Sequence, residues 1–267
     1  MRRYIDFYLA SMKIAILGQI QYSVANYFYM IGMIAEPVIY LVVWSSVANQ
    51  QGGTVGGYSA GAFAAYYIVW TLVRNMNIVF TPYGWEDRIQ HGRLSAELLR
   101  PIHPIHHDVA YFAGWKVVVI VLWLPLAAVL ALIFRPDLHP TWLQVLVFFF
   151  AIWGAYLIRT MFLSLLGMIT FWTTRVGAIY QLYFALELIL SGRLVPMTLM
   201  PAWVQRVALF LPFQWAFYFP INALVGKVGP AELLTGLGVQ LLWILGGIGL
   251  VNIVWRYGIR RFSAVGN

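Results

Sequence analysis

Apolar runs about as long as a bilayer is thick alternate along this chain with short polar stretches, and the alternation predicts its elements. Six runs read as transmembrane helices: Val24 to Val47, Ser59 to Phe80, Val117 to Phe134, Trp142 to Phe171, Val176 to Leu190 and Leu233 to Trp255. Ahead of them, Ile5, Leu9, Met12, Ile16 and Ile20 recur at helical spacing while Asp6, Lys13 and Gln19 lie largely off that stripe. This predicts an amphipathic helix over 1–21 lying along the membrane surface; the alternative is an inward extension of the first span. Lys13 interrupts the apolar part and no small-residue cleavage pattern follows, so a cleavable signal peptide is not expected.

Two intervals break the alternation. Between the fifth and sixth spans, Ser191 to Phe213 is too short for two spans and too polar for one, and Pro196, Pro201 and Pro212 stop a single helix from running through it. The stretch 191–228 is therefore expected to fold back on one face of the bilayer as a re-entrant hairpin. Its two short helices, Ala202 to Phe210 and Gln214 to Leu224, should hinge at Leu211 and Pro212, because proline disfavours a helical residue before it. Pro196, Pro201, Trp203, Pro212, Phe213 and Phe217 are candidates for a gate or lining, with Trp215 and Tyr218 extending an aromatic wall; a mere interfacial belt is the alternative. Between the second and third spans, Trp85 to Leu99 forms a candidate helix bent at Gly92 and ended by Pro101 and Pro104. Both charge signs and an exposed leucine set suit docking onto a protein, against the alternative of a solvated loop on the headgroups.

Composition turns the pattern into a membrane protein. The chain is 62% hydrophobic and 10% charged, far below the roughly 25% charge of soluble domains. Its 267 residues read as one domain, an all-α polytopic bundle without internal repeats. The absence of cysteine excludes a disulfide framework and a thiolate metal site. The 17 Lys+Arg against 9 Asp+Glu read as topology. With the N-terminus inside, Arg2, Arg3, Lys13, Arg88, Arg93, Arg100, Lys116, Arg175, Arg256, Arg260 and Arg261 face the cytoplasm, and Arg135, Arg193, Arg206 and Lys227 face out. That bias predicts cytoplasmic termini in the cell membrane and an extracellular hairpin. Trp44, Trp142 and Trp203 then fall at the outer interface, and Trp85, Trp115, Trp172 and Trp255 at the inner one. No basic run exceeds two residues, so nucleic acid is not an expected partner.

Charges inside spans cost roughly 3 kcal/mol or more each, which singles out Glu36, Arg74, Arg159 and Glu187. They either line a path or gate, or pair between helices and hold the bundle. Pro37 frees a backbone carbonyl beside Glu36. The run His103-Pro104-Ile105-His106-His107-Asp108 has the form of a membrane di-iron or acyltransferase box. A di-iron site needs more histidines than the five present, and the other two, His91 and His139, fall on opposite sides. The cluster therefore reads as a polar interfacial loop, with a lipid-modifying enzyme as the remote alternative. No Gly-Lys-Ser/Thr occurs, since Lys13, Lys116 and Lys227 precede Ile, Val and Val, so the chain carries no P-loop of its own.

The order of elements resembles the type-2 permeases of ATP-binding-cassette exporters over essentially the whole chain. The family's charged-x-charged, Gly, Leu-Leu-x-x-Pro pattern appears as Glu86, Asp87, Arg88, Gly92, Leu94, Leu98, Leu99 and Pro101. Its Ser-Gly, Pro, Pro-x-Trp, Leu-Pro pattern appears as Ser191, Gly192, Pro196, Pro201, Trp203, Leu211 and Pro212. Arg100 directly before Pro101 and His91 before Gly92 depart from the common form and leave the substrate class open. The resemblance implies a coupling helix over 84–101, beginning at Trp85, docked on a cytoplasmic ATPase subunit that binds ATP and Mg. It also implies a second permease, identical or homologous, and no cofactor in this chain. The reading is an exporter subunit, surrounded by membrane lipids, moving an unidentified substrate of amphipathic or lipid-like kind out of the cytoplasm. The competing reading is an ion-coupled transporter or channel relaying ions through Glu36 and Glu187.

Overall fold

Prolines and polar caps decide where the helices of this chain begin and end. The computed structural model describes residues 2–79, 82–226 and 228–263, side chains aside at 2, 23, 30, 33 and 34. Helix α1 (Arg2–Gln21) leads into α2 (Ser23–Gln50), which runs on through Pro37. A two-residue ribbon, β1 (Thr54–Val55) and β2 (Tyr58–Ser59), turns the chain into α3 (Ala60–Met76), where the Ser59 hydroxyl caps the first turn by accepting from the Ala62 amide at 3.1 Å. Then come α4 (Pro82–Gln90), α5 (Leu94–Leu98) and α6 (Pro104–Phe134), with proline at the first position of α6. A Thr141/Gln144 capping box opens α7 (Trp142–Met168), followed by α8 (Gly177–Leu190). Three short helices, α9 (Ala202–Leu209), α10 (Pro212–Ala216) and α11 (Tyr218–Val225), precede α12 (Pro230–Gly258).

This is an all-α membrane protein. Among the described residues, the stretches Pro104–Phe134, Trp142–Phe171 and Pro230–Arg261 are long and apolar enough to cross a bilayer. Helix α2 covers the first expected span. Helix α3, with 17 residues, is about 26 Å long and α8, with 14, about 21 Å, against a hydrocarbon core of about 30 Å. The expected end of the second span at Phe80, like the outer Lys227, lies outside the described residues.

Helix α3 is the centre of the molecule. Phe63, Tyr66, Tyr67 and Trp70 are all buried, which suits a helix that is apolar on every side. It packs on α2, α6, α7 and α11, and the aromatic core continues through Ile152, Ile158, Phe217 and Ile221. Helix α12 lies along α7, and α1 lies along α6. The α1–α6 approach is backbone to backbone: a Cβ at Gly114 would stand 2.5 Å from the Met12 carbonyl oxygen. Within α1, Ala15 is buried while Ile5, Leu9 and Ile20 stay exposed, so much of the predicted apolar stripe faces away from the protein.

The structure revises several sequence expectations. Helix α6 begins at Pro104, not Val117, so His106 and His107 sit on its first turns and not in a loop. The expected Trp85–Leu99 helix is two helices, because Gly92 takes the left-handed φ of 69° that glycine adopts without penalty. The hairpin hinges at Leu211 as expected, in extended conformation, but breaks again at Phe217. Pro220 explains the second break: it has no N–H for the Ala216 carbonyl. That carbonyl instead accepts from the Asn77 side-chain amide at 2.8 Å, tying the hairpin to the end of α3. Trp85 is fully buried, not an interfacial anchor.

Candidate functional site

The spans place Glu36 on α2, Arg74 on α3, Arg159 on α7 and Glu187 on α8, and the fold brings all four together. Arg74 pairs with Glu36 at 2.8 Å, and Arg159 with Glu187 at 3.1 Å. Arg193, just past α8, joins the two pairs at 3.6 Å from Glu36 and 3.5 Å from Glu187. The outcome is one ladder of alternating sign, Arg74–Glu36–Arg193–Glu187–Arg159. Arg193 was expected at the outer surface; its side chain is only 16% exposed, because two carboxylates draw it in. Nothing in the sequence signals this, since two glutamates and two arginines within spans already balance. Aromatic faces stack against the cations: Arg74 and Arg193 lie 5.4 and 5.7 Å from the Trp70 ring centre, Arg159 and Arg193 5.1 and 5.4 Å from that of Phe217.

The ladder is buried at one end and open at the other. Glu187 is 1% exposed, whereas the Glu36 side chain is 32% exposed on an open cleft of about 400 Å³ walled by Gly32, Ala35, Ile39, Tyr40 and Arg74. Such an arrangement resists separation of α2, α3, α7 and α8, since each charge withdrawn strands another in a low dielectric. A second buried cation, Lys116, was expected at the inner surface. It donates to the Asn75 carbonyl at 3.1 Å and to that of Ile78, at the end of α3, where the helix dipole favours positive charge.

The α4–α5 hairpin is fixed from its inner side. Arg88 makes two contacts with Asp108, at 2.6 and 3.3 Å, and reaches Glu97 at 3.1 Å; its guanidinium lies 4.2 Å from the ring centre of Trp85. Leu94 is fully buried with Trp85. These three proposed coupling residues thus hold the hairpin and are not surface contacts. Asp87 pairs with Arg93 at 2.8 Å, and Glu86 accepts from Gln90 at 3.5 Å. What protrudes is Leu98, 38% exposed, and Leu99, 88% exposed, directly before Arg100 and Pro101.

The hairpin of short helices has a packed interior. Phe213 is buried against Tyr183, ring centres 5.2 Å apart, in a cluster with Met197, Val204 and Ala208, and Phe217 is fully buried under the ladder. Neither lines open space in this conformation. Pro196 and Pro201 precede the first turns after them, Pro212 opens α10, and Trp203 is 62% exposed. The histidines are dispersed: His103 caps α6, His106 meets the Tyr8 hydroxyl at 2.7 Å, and His107 stacks on Tyr111. Among the described residues no three His, Cys, Asp or Glu are grouped to hold a metal.

A family model described as ABC-2 family transporter protein matches residues 12–266. The chain belongs to the ABC-2 transporter family. No curated protein matches it. For an ABC-2 transporter the two motif-bearing stretches have separate physical roles here. The first builds a hairpin held by Arg88; the second places Ser191 and Gly192, whose carbonyls accept from the Tyr218 amide at 3.0 Å and the Tyr66 hydroxyl at 2.8 Å and join the short helices to α3.

Proposed function

We propose that this ABC-2 protein is the permease subunit of an ATP-driven exporter, moving an amphipathic or lipid-like substrate out of the cytoplasm. In this reading six segments cross the cell membrane with both termini cytoplasmic, and α1 lies on the membrane surface. The stretch 191–228 dips back in from outside, and a second permease, identical or homologous, completes the path. ATP and Mg²⁺ belong to a separate cytoplasmic ATPase.

The observation that carries the proposal is the α4–α5 hairpin, locked inside by Arg88 and Trp85 while Leu98 and Leu99 project beyond it. A rigid hairpin with an apolar tip transmits motion, which a solvated loop does not. The charge ladder is the natural gate, because opening a path between α2 and α8 must exchange its pairs. Pairing of both glutamates with arginines argues against the ion relay, whose carboxylates would need to take up and release ions.

The test is substitution of Leu98 and Leu99 with Asp in the complete complex, reconstituted in vesicles. Loss of ATPase binding, or ATP hydrolysis no longer linked to transport, with the permease still folded, is the expected result. Normal coupling in both variants would reduce the hairpin to a passive loop.

A further inference from the structure

A groove of about 250 Å³ lies between α1, the start of α6, α7 and α12, away from the charge ladder and the α4–α5 tip. Its long wall follows α12 from Ile244 through Ile248 to Asn252, roughly 12 Å at 1.5 Å per residue. Met161 of α7 forms the opposite side. The polar lining gathers at one end. His103 stands there, its ring centre 4.2 Å from that of Trp255, one turn beyond Asn252 on α12. Tyr8 and His106 join it, already bonded to each other at 2.7 Å. No Lys, Arg, Asp or Glu lines the groove.

His103 tells what that end lacks. Its Nδ1 accepts the Ile105 backbone amide at 3.2 Å, as the cap of α6. A nitrogen that accepts carries no proton, so the proton of the neutral ring is on Nε2. Burial and the neighbouring His106 hold the pKa of His103 down to about 4, so the ring is neutral at physiological pH. Nε2–H is therefore a buried donor, and it has no acceptor among the described residues. Buried donors without acceptors are uncommon and costly. An oxygen acceptor would satisfy this one. With no cation in the lining, a carboxylate or phosphate would enter uncompensated, whereas a neutral carbonyl would not.

We propose that this groove binds one acyl chain of a membrane ester lipid, its carbonyl at His103 Nε2 and its hydrocarbon along α12 toward Ile244. The lipid comes from the leaflet on the side of the α4–α5 hairpin. Ile248, 43% exposed, leaves the apolar wall open for a chain to enter sideways. The site is separate from the proposed export path and stands whether or not that reading holds.

The test uses the full chain in phosphatidylcholine vesicles doped with one of two photoreactive phosphatidylcholines, carrying a diazirine beside the ester or at the chain terminus. Crosslinks are mapped by peptide mass spectrometry. The ester-side probe should label near Tyr8 and Asn252, and the terminal probe near Ile244. Ile248→Trp, at a half-open position that tolerates bulk, should abolish both. His103→Asn keeps a good helix cap but leaves only a shorter amide in place of the ring Nε2 donor, and should lower ester-side labelling about fivefold, the worth of one neutral hydrogen bond. Labelling spread evenly over the exposed faces of α2, α8 and α12 and indifferent to Ile248→Trp would overturn the site. Competition by a free fatty acid but not by unlabelled phosphatidylcholine would overturn the ester assignment.

Discussion

Arg88 answers to two carboxylates at the loop end of α6, whereas in the bundle three arginines share two glutamates. The first knot is local: Glu97 and Asp108 lie within the same loop and the helix that follows it, and its charge balance is one cation to two anions. The ladder collects residues from positions 36 to 193, and its balance is three cations to two anions. A local knot shapes one hairpin. A ladder drawn from four helices and a loop sets the arrangement of the bundle, and the quadrupoles of Trp70 and Phe217 take up part of its cationic excess. The same chemical pair thus serves as a clip in one region and as a keystone in the other.

That comparison is sharpened most by Glu187→Ala. It leaves Arg159 without its carboxylate and Arg193 with only Glu36, and should cost about 3–5 kcal/mol, as for a broken buried pair. Thermal unfolding in detergent reads this, and a loss no larger than that of a surface pair would demote the ladder. Arg88→Ala should cost less, about 2 kcal/mol. Its mark is local, with α4–α5 cut faster by protease while the bundle keeps its melting behaviour; global unfolding would erase the distinction between clip and keystone. Glu36→Gln, at the more exposed end, should cost less than Glu187→Ala, since its side chain is 32% exposed against 1%. A loss as large as that of Glu187→Ala would show both ends to be equally buried in the membrane.

A further test concerns pH. The folded pKa of His103 lies below the unfolded value, so the unfolded chain binds the extra proton first as pH falls. The stability it contributes is whole above about 6.5 and is lost toward about 4. Melting curves of the protein and of His103→Asn should therefore draw together as pH drops through that window; parallel curves would count against a buried neutral ring.

The sequence made the helices legible because apolar runs and prolines act locally. Leu211 and Pro212 announced the hinge, and Gly92 the break between α4 and α5. It hid whatever depends on partners far along the chain. The break at Phe217 needed Asn77 to receive a carbonyl that Pro220 had released. Arg193 looked like an outer charge beside a glycine until Glu36 and Glu187 were near it. Trp85 and Arg88 looked like docking residues because composition cannot tell the inside of a hairpin from its tip. The histidine run had the form of a metal box but read as a polar interfacial loop, and the structure places its members on a cap, a tyrosine and a stacked ring at the start of α6.

One contact in the outer frame reaches further than its size. At Gly114 the backbone of α1 rests directly on α6, leaving no side-chain cushion between them. The two helices therefore form one stiff pair running side by side. A shift of α6 along its axis carries α1, with the apolar residues it exposes, along with it. The bilayer then acts as a spring on the transport cycle, so that membrane thickness and tension become inputs to it. A single methyl group added at position 114 is the smallest wedge that would loosen that spring.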